Sequence, residues 1–476
     1  MTASVARPRQ RSDYSLTGEY GALAVQRGLA DAKWYASPVP KDQMRALLER
    51  RDGPAVRDTI IWFSLFIAFG AAGAVLWGTW WAVIPFALYG IMYGTSSDSR
   101  WHECGHGTAF KTDWLNNVMY EIGSFMDTRE SVPWRWSHAR HHSDTIIIGR
   151  DPESGMRGLP LSRVILGFFN LPIFFQYFKT VALHAIGRMT PAERTYVPES
   201  AFNSTYWHAR VYLLIYGGVI AAAVAMGSFL PLMYVGLPSI WGRWLLMIYA
   251  MPQHAGLADD VLDHRLNTRT VYMDPISNFL YWNMGYHIEH HMFPMVPYHN
   301  LPKLHALMKA DCPPPYRNLL EAHREIWPAL IRQAKDLDYY IRRPLPPPSP
   351  AAEAMQANEV ITSNAQPDAA GWVDVCELGR LLPGDVVRFD HAGQSFAVYR
   401  THIGQLFASD NQCPHGRGEL GSGFLQGTVI ECPKHNGRFD IRDGSVRRPP
   451  PRTNLCMYAA RERDGKVQVN VNSGCK

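Results

Sequence analysis

The sequence predicts a chain of two unlike parts: an α-helical integral membrane domain, built from two transmembrane hairpins with a cytoplasmic helical cap, followed by a small all-β domain. Three observations predict it. Residues 59–94 contain no Asp, Glu, Lys or Arg, a second apolar block runs from Val211 to Met251, and from Gly371 onward short β-branched runs alternate with Gly and Asp. Averages hide this division. The 476 residues are 47% hydrophobic and 19% charged, which excludes a disordered, collagen-like or disulfide-scaffold chain but not one lipid-facing part joined to one water-facing part. At roughly 150 residues per domain the length fits two or three folding units. A net charge of +5 without a basic tract gives no reason to expect nucleic acid.

Residues 1–58 hold ten Lys/Arg against seven Asp/Glu and no early apolar core, so they read as a cytoplasmic N-terminal segment rather than a signal peptide. Residues 59–94 suffice for two helices of the ~20 residues that a ~30 Å bilayer core requires, with Trp77 to Trp81 as the tip. The second block is broken near Phe229-Leu230-Pro231 and Gly236-Leu237-Pro238. Arg243 inside its second half implies a late helix start, a protein-facing side or an interfacial position. Between the blocks, Val164 to Phe178 is apolar for only fifteen residues and contains Asn170, Pro172 and Gln176; it reads as interfacial or re-entrant.

Two complete hairpins return the chain to its starting side. The far-side turns 77–81 and 228–238 hold no Lys or Arg, while residues 95–208 hold eleven, so both termini and the central segment are expected in the cytoplasm, with the domain in a bacterial inner membrane. The membrane domain is expected over 59–343, a Pro-rich linker over 344–370 and the β domain over 371–476. The seven cysteines are odd in number and scattered, which points to a reducing compartment.

Three histidine clusters carry the chemistry. His102-Glu103-Cys104-Gly105-His106 puts two imidazoles at i and i+4 on one helix face. His138-Ala139-Arg140-His141-His142 and His287-Ile288-Glu289-His290-His291 each present three imidazoles on one turn. Eight such donors exceed what one ion uses, and a structural zinc site closes with four ligands and recruits Cys, so two redox metals fit better. Carboxylates close by are candidates to orient imidazole N–H groups: Glu103, Asp144, Asp151, Asp274 and Glu289.

These clusters resemble the H-x(3,4)-H, H-x2-H-H and H-x2-H-H boxes of the membrane fatty-acid desaturase and alkane-hydroxylase superfamily, over roughly residues 30–340. The resemblance implies a di-iron centre that uses O2, with His102, His106, His138, His141, His142, His287, His290 and His291 as ligands. It implies a ninth ligand ahead of the last box, for which His254 is the better candidate and His264 the runner-up. The tracts W-R-W-S-H-A-R-H-H and N-M-G-Y-H-I-E-H-H-M-F-P resemble the MocD-like oxygenases of rhizopine catabolism more than the acyl-lipid desaturases.

In the β part, Cys413-Pro414-His415 and Cys432-Pro433-Lys434-His435 are separated by sixteen residues. This C-x-H…C-x2-H pattern resembles the Rieske ferredoxins (MocE-like in this setting), which implies a [2Fe–2S] cluster held by Cys413, Cys432, His415 and His435. Gly416-Arg417-Gly418-Glu419-Leu420-Gly421 also fits G-x-G-x-x-G, but it lies inside a cluster loop and lacks a β-α-β context.

Together the resemblances imply an oxidoreductase in which an NAD(P)H-dependent ferredoxin reductase reduces the Rieske cluster and the cluster reduces the di-iron centre. Hydroxylation or O-/N-demethylation of a small substrate is the expected reaction, fatty-acyl desaturation the alternative, and a membrane-tethered Rieske electron carrier a second alternative. Neither substrate nor oligomeric state is readable from the residues.

Overall fold

Each apolar block begins as one long helix. In the computed structural model, which describes residues 19–30, 34–154, 158–347, 360–415, 418–434 and 436–475, these are Asp52–Val75 with 24 residues and Glu199–Met226 with 28. At 1.5 Å per residue they are about 36 and about 42 Å long, enough for a bilayer core. They leave Ile67, Val75, Leu214, Val224 and Met226 exposed, with Trp80 and Trp81 at the first tip and Phe229 at the second. Such a belt of exposed large apolar side chains marks a surface that meets a membrane or another protein. The tips meet where Trp77 Nε1–H donates to Ser228 Oγ at 3.2 Å.

The sequence expects four full spans; among the described residues two helices are long and apolar enough to cross a membrane, or three if the bent pair Leu161–Gly167 and Leu171–Ala185 is one span, and the return legs are shorter. Val83–Gly94 has 12 residues and runs through Thr95 into Ser96–His106. The second return leg is split into Leu230–Tyr234, Pro238–Trp241 and Trp244–His254, because Pro231 and Pro238 each start a new helix and Gly236 turns at φ +90°. Leu161–Gly167 and Leu171–Ala185 bend by 73° at Asn170, which adopts a left-handed φ of 54°.

Two glycines join the return legs. A Cβ on Gly242 would lie 1.8 Å from the Gly90 carbonyl oxygen, so the backbones approach as only glycine allows, and Thr95 Oγ1 donates to the Gly242 carbonyl at 2.6 Å. Arg243 next to it faces protein. It is buried, donates to the Asp127 carbonyl at 2.8 Å and pairs with the Asp127 carboxylate, which also meets Arg129 at 2.9 Å.

By compactness the helical unit takes the chain to Leu345, except that Ala36–Glu49 and Phe293–Val296 cluster with the second unit, which otherwise starts at Pro346. Arg45 of the first inserted segment pairs with Asp385 at 3.2 Å. From Val360 onward the second unit is built of β-strands and short 3-10 turns. A five-stranded sheet runs in the order Val360–Ser363, Asp385–His391, Gln394–Arg400, Leu406–Asp410, Met457–Tyr458, beside a three-stranded and a four-stranded sheet. Val360–Ser363 lies in the stretch read as linker: four β-branched or hydroxyl residues in a row let it pair, in parallel, with Asp385–His391. One core packs Phe389, Phe396, Val398, Val467 and Val469. A second packs Ile430, Phe439 and Ile441 around Cys413 and Cys432.

Candidate metal centres

Four helical segments deliver the nine imidazoles. Ser96–His106 carries His102 and His106, Ser131–Ser143 carries His138, His141 and His142, Trp244–His254 ends on His254, and His287–Met292 carries His287, His290 and His291. They converge as two sets. The donor nitrogens of His102, His106, His138, His142 and His290 lie within 4.8 Å of one another, and so do those of His141, His254 and His291. His287 belongs with the second set: its Nε2 is 3.2 Å from His254 Nε2 and 3.1 Å from His291 Nε2. The sets adjoin where the His142 and His291 rings stack at 4.4 Å.

The donor chemistry fits two cations. Eight of the nine side chains are buried and His254 is partly so. His102 Nε2 and both ring nitrogens of His142 and of His290 have no hydrogen-bond partner, which inside a protein is costly unless something electrophilic is bound. His106 Nε2 and His138 Nε2 face each other at 3.1 Å. Burial, and then the neighbouring imidazoles, hold His102, His142, His287, His290 and His291 well below the usual imidazole pKa; for His254 burial and His141 do the same. Neutral imidazoles are the form that binds metal.

Outer groups fix ring orientation. His254 Nδ1–H donates to the Asn267 carbonyl at 2.9 Å, which turns Nε2 toward its set. Asp151 accepts from His141 Nδ1 at 2.9 Å and is itself held by the Ile146 and Glu153 amides at 2.8 Å each. Burial lowers His141, but the Asp151 charge and hydrogen bond outweigh it and carry the pKa to about 9. Glu103 is fully buried and 3.6 Å from His290 Nδ1, too long for a hydrogen bond, and Thr108 Oγ1 donates to it at 2.8 Å. Burial lifts its carboxyl to about 7.

Three other carboxylates singled out from the sequence have different partners. Asp144 pairs with Arg140 at 2.7 Å and Arg150 at 3.3 Å. Asp274 caps the helix Pro275–Leu280 through the Ile276 and Ser277 amides. Glu289 turns away from its flanking histidines to His305 Nδ1 at 2.5 Å and Thr270 Oγ1 at 2.7 Å. On a one-turn helix its side chain leaves from the side opposite the imidazoles. The sequence reading missed Glu153, which accepts from Ser137 Oγ at 2.9 Å and lies 3.3 Å from His138 Nδ1, and Gln253, whose side-chain amide meets His287 Nδ1 at 3.2 Å. Glu153 follows Asp151 by two residues, which is the one signal that could have found it.

His264 stacks on Trp34 at 4.3 Å and lies 5.2 Å from the His291 ring, outside both sets. A third buried cluster, Glu130–His184–Glu193, also has metal-ligand composition. Both His184 nitrogens already donate to the carboxylates, at 2.8 Å to Glu130 and 2.9 Å to Glu193, so it is an ion-paired imidazolium rather than an offered lone pair.

In the β unit, Cys413 and Cys432 are buried at the starts of two loops. A Cβ on Gly418 would lie 2.6 Å from Cys432 Sγ and 3.9 Å from Cys413 Cβ, so the glycine opens a cradle between the two thiols. The amides are tied by Cys413 N–H to the Gly418 carbonyl and Cys432 N–H to the Gly437 carbonyl, each at 2.8 Å. His415 is exposed. His435, Gly416 and Arg417 lie outside the described residues.

An oxidoreductase is therefore defined, with a histidine-rich di-iron domain and a thiolate-and-imidazole cluster domain on one chain. The fatty acid desaturase family model matches residues 78–323, just over half of the 476 residues, and the chain belongs to that family. The Rieske [2Fe-2S] domain matches residues 371–459. Over the β part the chain is similar to the ferredoxin component of the naphthalene 1,2-dioxygenase system of Pseudomonas putida, 33% identical over 101 residues, 21% of this chain and 96% of the relative. The biphenyl dioxygenase ferredoxin subunit of Pseudomonas sp. (strain KKS102) is 37% identical over 102 residues, 21% of this chain and 93% of the relative. A solved complex of reduced oxygenase and oxidized ferredoxin in carbazole 1,9a-dioxygenase matches at 31% identity with a TM-score of 0.22, covering 22% of this chain and 99% of that one.

Proposed function

We propose that the protein is a membrane-bound, O2-dependent di-iron oxygenase that hydroxylates or O-/N-demethylates a small substrate with electrons delivered by its fused Rieske domain. The observation that carries this reading is the convergence of nine imidazoles, eight of them buried, in sets of five and four. His102, His106, His138, His142 and His290 would hold one iron, and His141, His254, His287 and His291 the other; Cys413, Cys432, His415 and His435 would hold the cluster. Two irons held there would supply the reductive activation of O2 that attack on an unactivated C–H bond requires.

The chain's own residues set that chemistry up. Asp151, Gln253, Glu153 and the Asn267 carbonyl lock imidazole orientation in advance. Burial keeps bulk water from the donor nitrogens, so charge developing there is not screened. The linker keeps the cluster on the same chain as the centre it reduces, at an effective concentration of roughly mM. Oxygen insertion at a methoxy or N-methyl carbon yields a hemiacetal or hemiaminal that releases formaldehyde.

The names of the Rieske relatives, components of dioxygenase systems, support oxygen insertion and a separate NAD(P)H-dependent reductase. The family match supports fatty-acyl desaturation as a second reading. The exposed apolar belt supports a bilayer location, and the Lys/Arg-free turns support a cytoplasmic face for both metal centres. Iron analysis tests the core of the proposal: about four Fe per chain, two in the [2Fe–2S] cluster and two in the di-iron site. A value near two with an intact Rieske signal would leave only a tethered electron carrier. Formaldehyde release from methoxy or methylamino substrates separates demethylation from desaturation of an acyl chain.

A further inference from the structure

The seven cysteines are scattered in sequence, but the fold brings one pair together outside both metal centres. Cys475 N–H donates to Cys456 Sγ at 2.6 Å, and neither cysteine is in a disulfide. The segment that carries Cys475 is pinned for this contact. Val471 N–H donates to the Gly371 carbonyl at 3.0 Å and Ala459 N–H to Ser473 Oγ at 2.9 Å. Gly474 lies flat on Tyr458, where a Cβ would be 2.3 Å from the ring.

We propose that Cys456 and Cys475 are a redox-responsive thiol pair that closes to a reversible disulfide under hydroperoxide, clasping residues 471–475 onto the strand Met457–Tyr458. Cys475 is exposed and Cys456 partly buried. Burial and the Cys475 thiol raise the Cys456 pKa, so the hydroperoxide meets Cys475 first. The Cys475 thiolate attacks the peroxide oxygen, giving a sulfenic acid and releasing water or an alcohol. The Cys456 thiol then attacks that sulfur, forming the S–S bond and expelling water. Two thiols lose two protons and two electrons, and the hydroperoxide takes them up.

The clasp backs the first cluster loop. The Cys456 carbonyl accepts from Asp410 N–H at 3.0 Å, Tyr458 O–H donates to Asp410 Oδ1 at 3.0 Å, and Met457 pairs with Ser409. Cys413 follows Asp410 by three residues. The thiol state is therefore set against the strand that positions a cluster ligand.

The test uses the full-length protein in detergent, reduced and then exposed to hydrogen peroxide, with trypsin digestion under non-reducing conditions. The peptides Thr453–Arg461 and Val467–Lys476 are expected as one linked species lacking two hydrogens, reverted by dithiothreitol and absent from Cys475→Ser. Gly474→Ala, which pushes the segment off Tyr458, is expected to cut the linked yield several-fold, while the Rieske EPR signal reports that both variants are folded. Oxidation of Cys475 to sulfinic acid with Cys456 still open to alkylation would overturn the proposal. So would linkage only between copies, detected by mixing 15N-labelled and unlabelled chains.

Discussion

The two metal regions use histidine in opposite ways. In the helical unit eight of the nine clustered imidazoles are buried, whereas in the β unit the cysteines are buried and His415 stands at the surface. The contrast follows from what each region must do. On the proposed function, a centre that attacks C–H bonds must be closed to water and stray reductants. A carrier must let electrons in and out, so its cluster needs an exposed edge on its imidazole side. The regions also differ in how they are held: helices place imidazoles by turn spacing from four segments, while the β unit uses tied backbone amides and one glycine cradle.

The largest expected effect separates the two regions outright. His290→Ala removes a donor with no alternative partner; turnover is lost and iron falls to about two per chain, while the Rieske EPR signal of the two-iron cluster remains. Loss of that signal together with activity would sink the independence of the regions. The mirror experiment is Cys432→Ser, which removes the EPR signal and reductase-driven turnover but retains the di-iron pair on metal analysis. Retained NAD(P)H-driven turnover would show that electrons bypass the β unit.

A smaller effect probes the outer groups. Asp151→Asn keeps the shape but weakens the hold on His141 Nδ1; iron affinity is expected to drop about 10–100-fold, with the cluster unaffected. Equal affinity in a chelator competition would assign Asp151 to loop structure alone.

The smallest effect concerns His184, near neither centre's donors. Burial works against its charge, but the hydrogen bonds and charges of Glu130 and Glu193 outweigh it and lift the pKa to about 9. A folded pKa above the unfolded value of about 6.5 stabilises the fold fully below that value and loses the contribution as pH rises through about 9. The denaturation midpoint should therefore fall between pH 6.5 and 9, and His184→Gln should flatten that dependence. An unchanged slope in the variant would transfer the effect to another group.

Much of the site was legible in the residues because metal ligation leaves a spacing signature. His102 and His106, or His287, His290 and His291, must recur at three and four to share a helix face. His254 required more, since it sits alone at a helix end and joins its set only through the fold. The outer carboxylates were hardest. Proximity in sequence made Asp144, Asp151, Glu103, Asp274 and Glu289 equal candidates, yet Asp274 caps a helix and Glu289 binds His305, while Glu153 was overlooked.

The sequence alone determined the division into an apolar helical part and a β part, the three histidine boxes and the cysteine–histidine pairs of the cluster loops. Each depends on a local period or on composition, and these are properties of short stretches of chain. Tertiary structure decided which imidazoles share which set, that the return legs break at Pro231 and Pro238, that Arg243 meets Asp127, and that Cys456 and Cys475 touch. Those outcomes join residues up to 188 positions apart, as His102 and His290 are, and long-range packing, close backbone approach at Gly90 and Gly242, and the pairing of buried charge decide them.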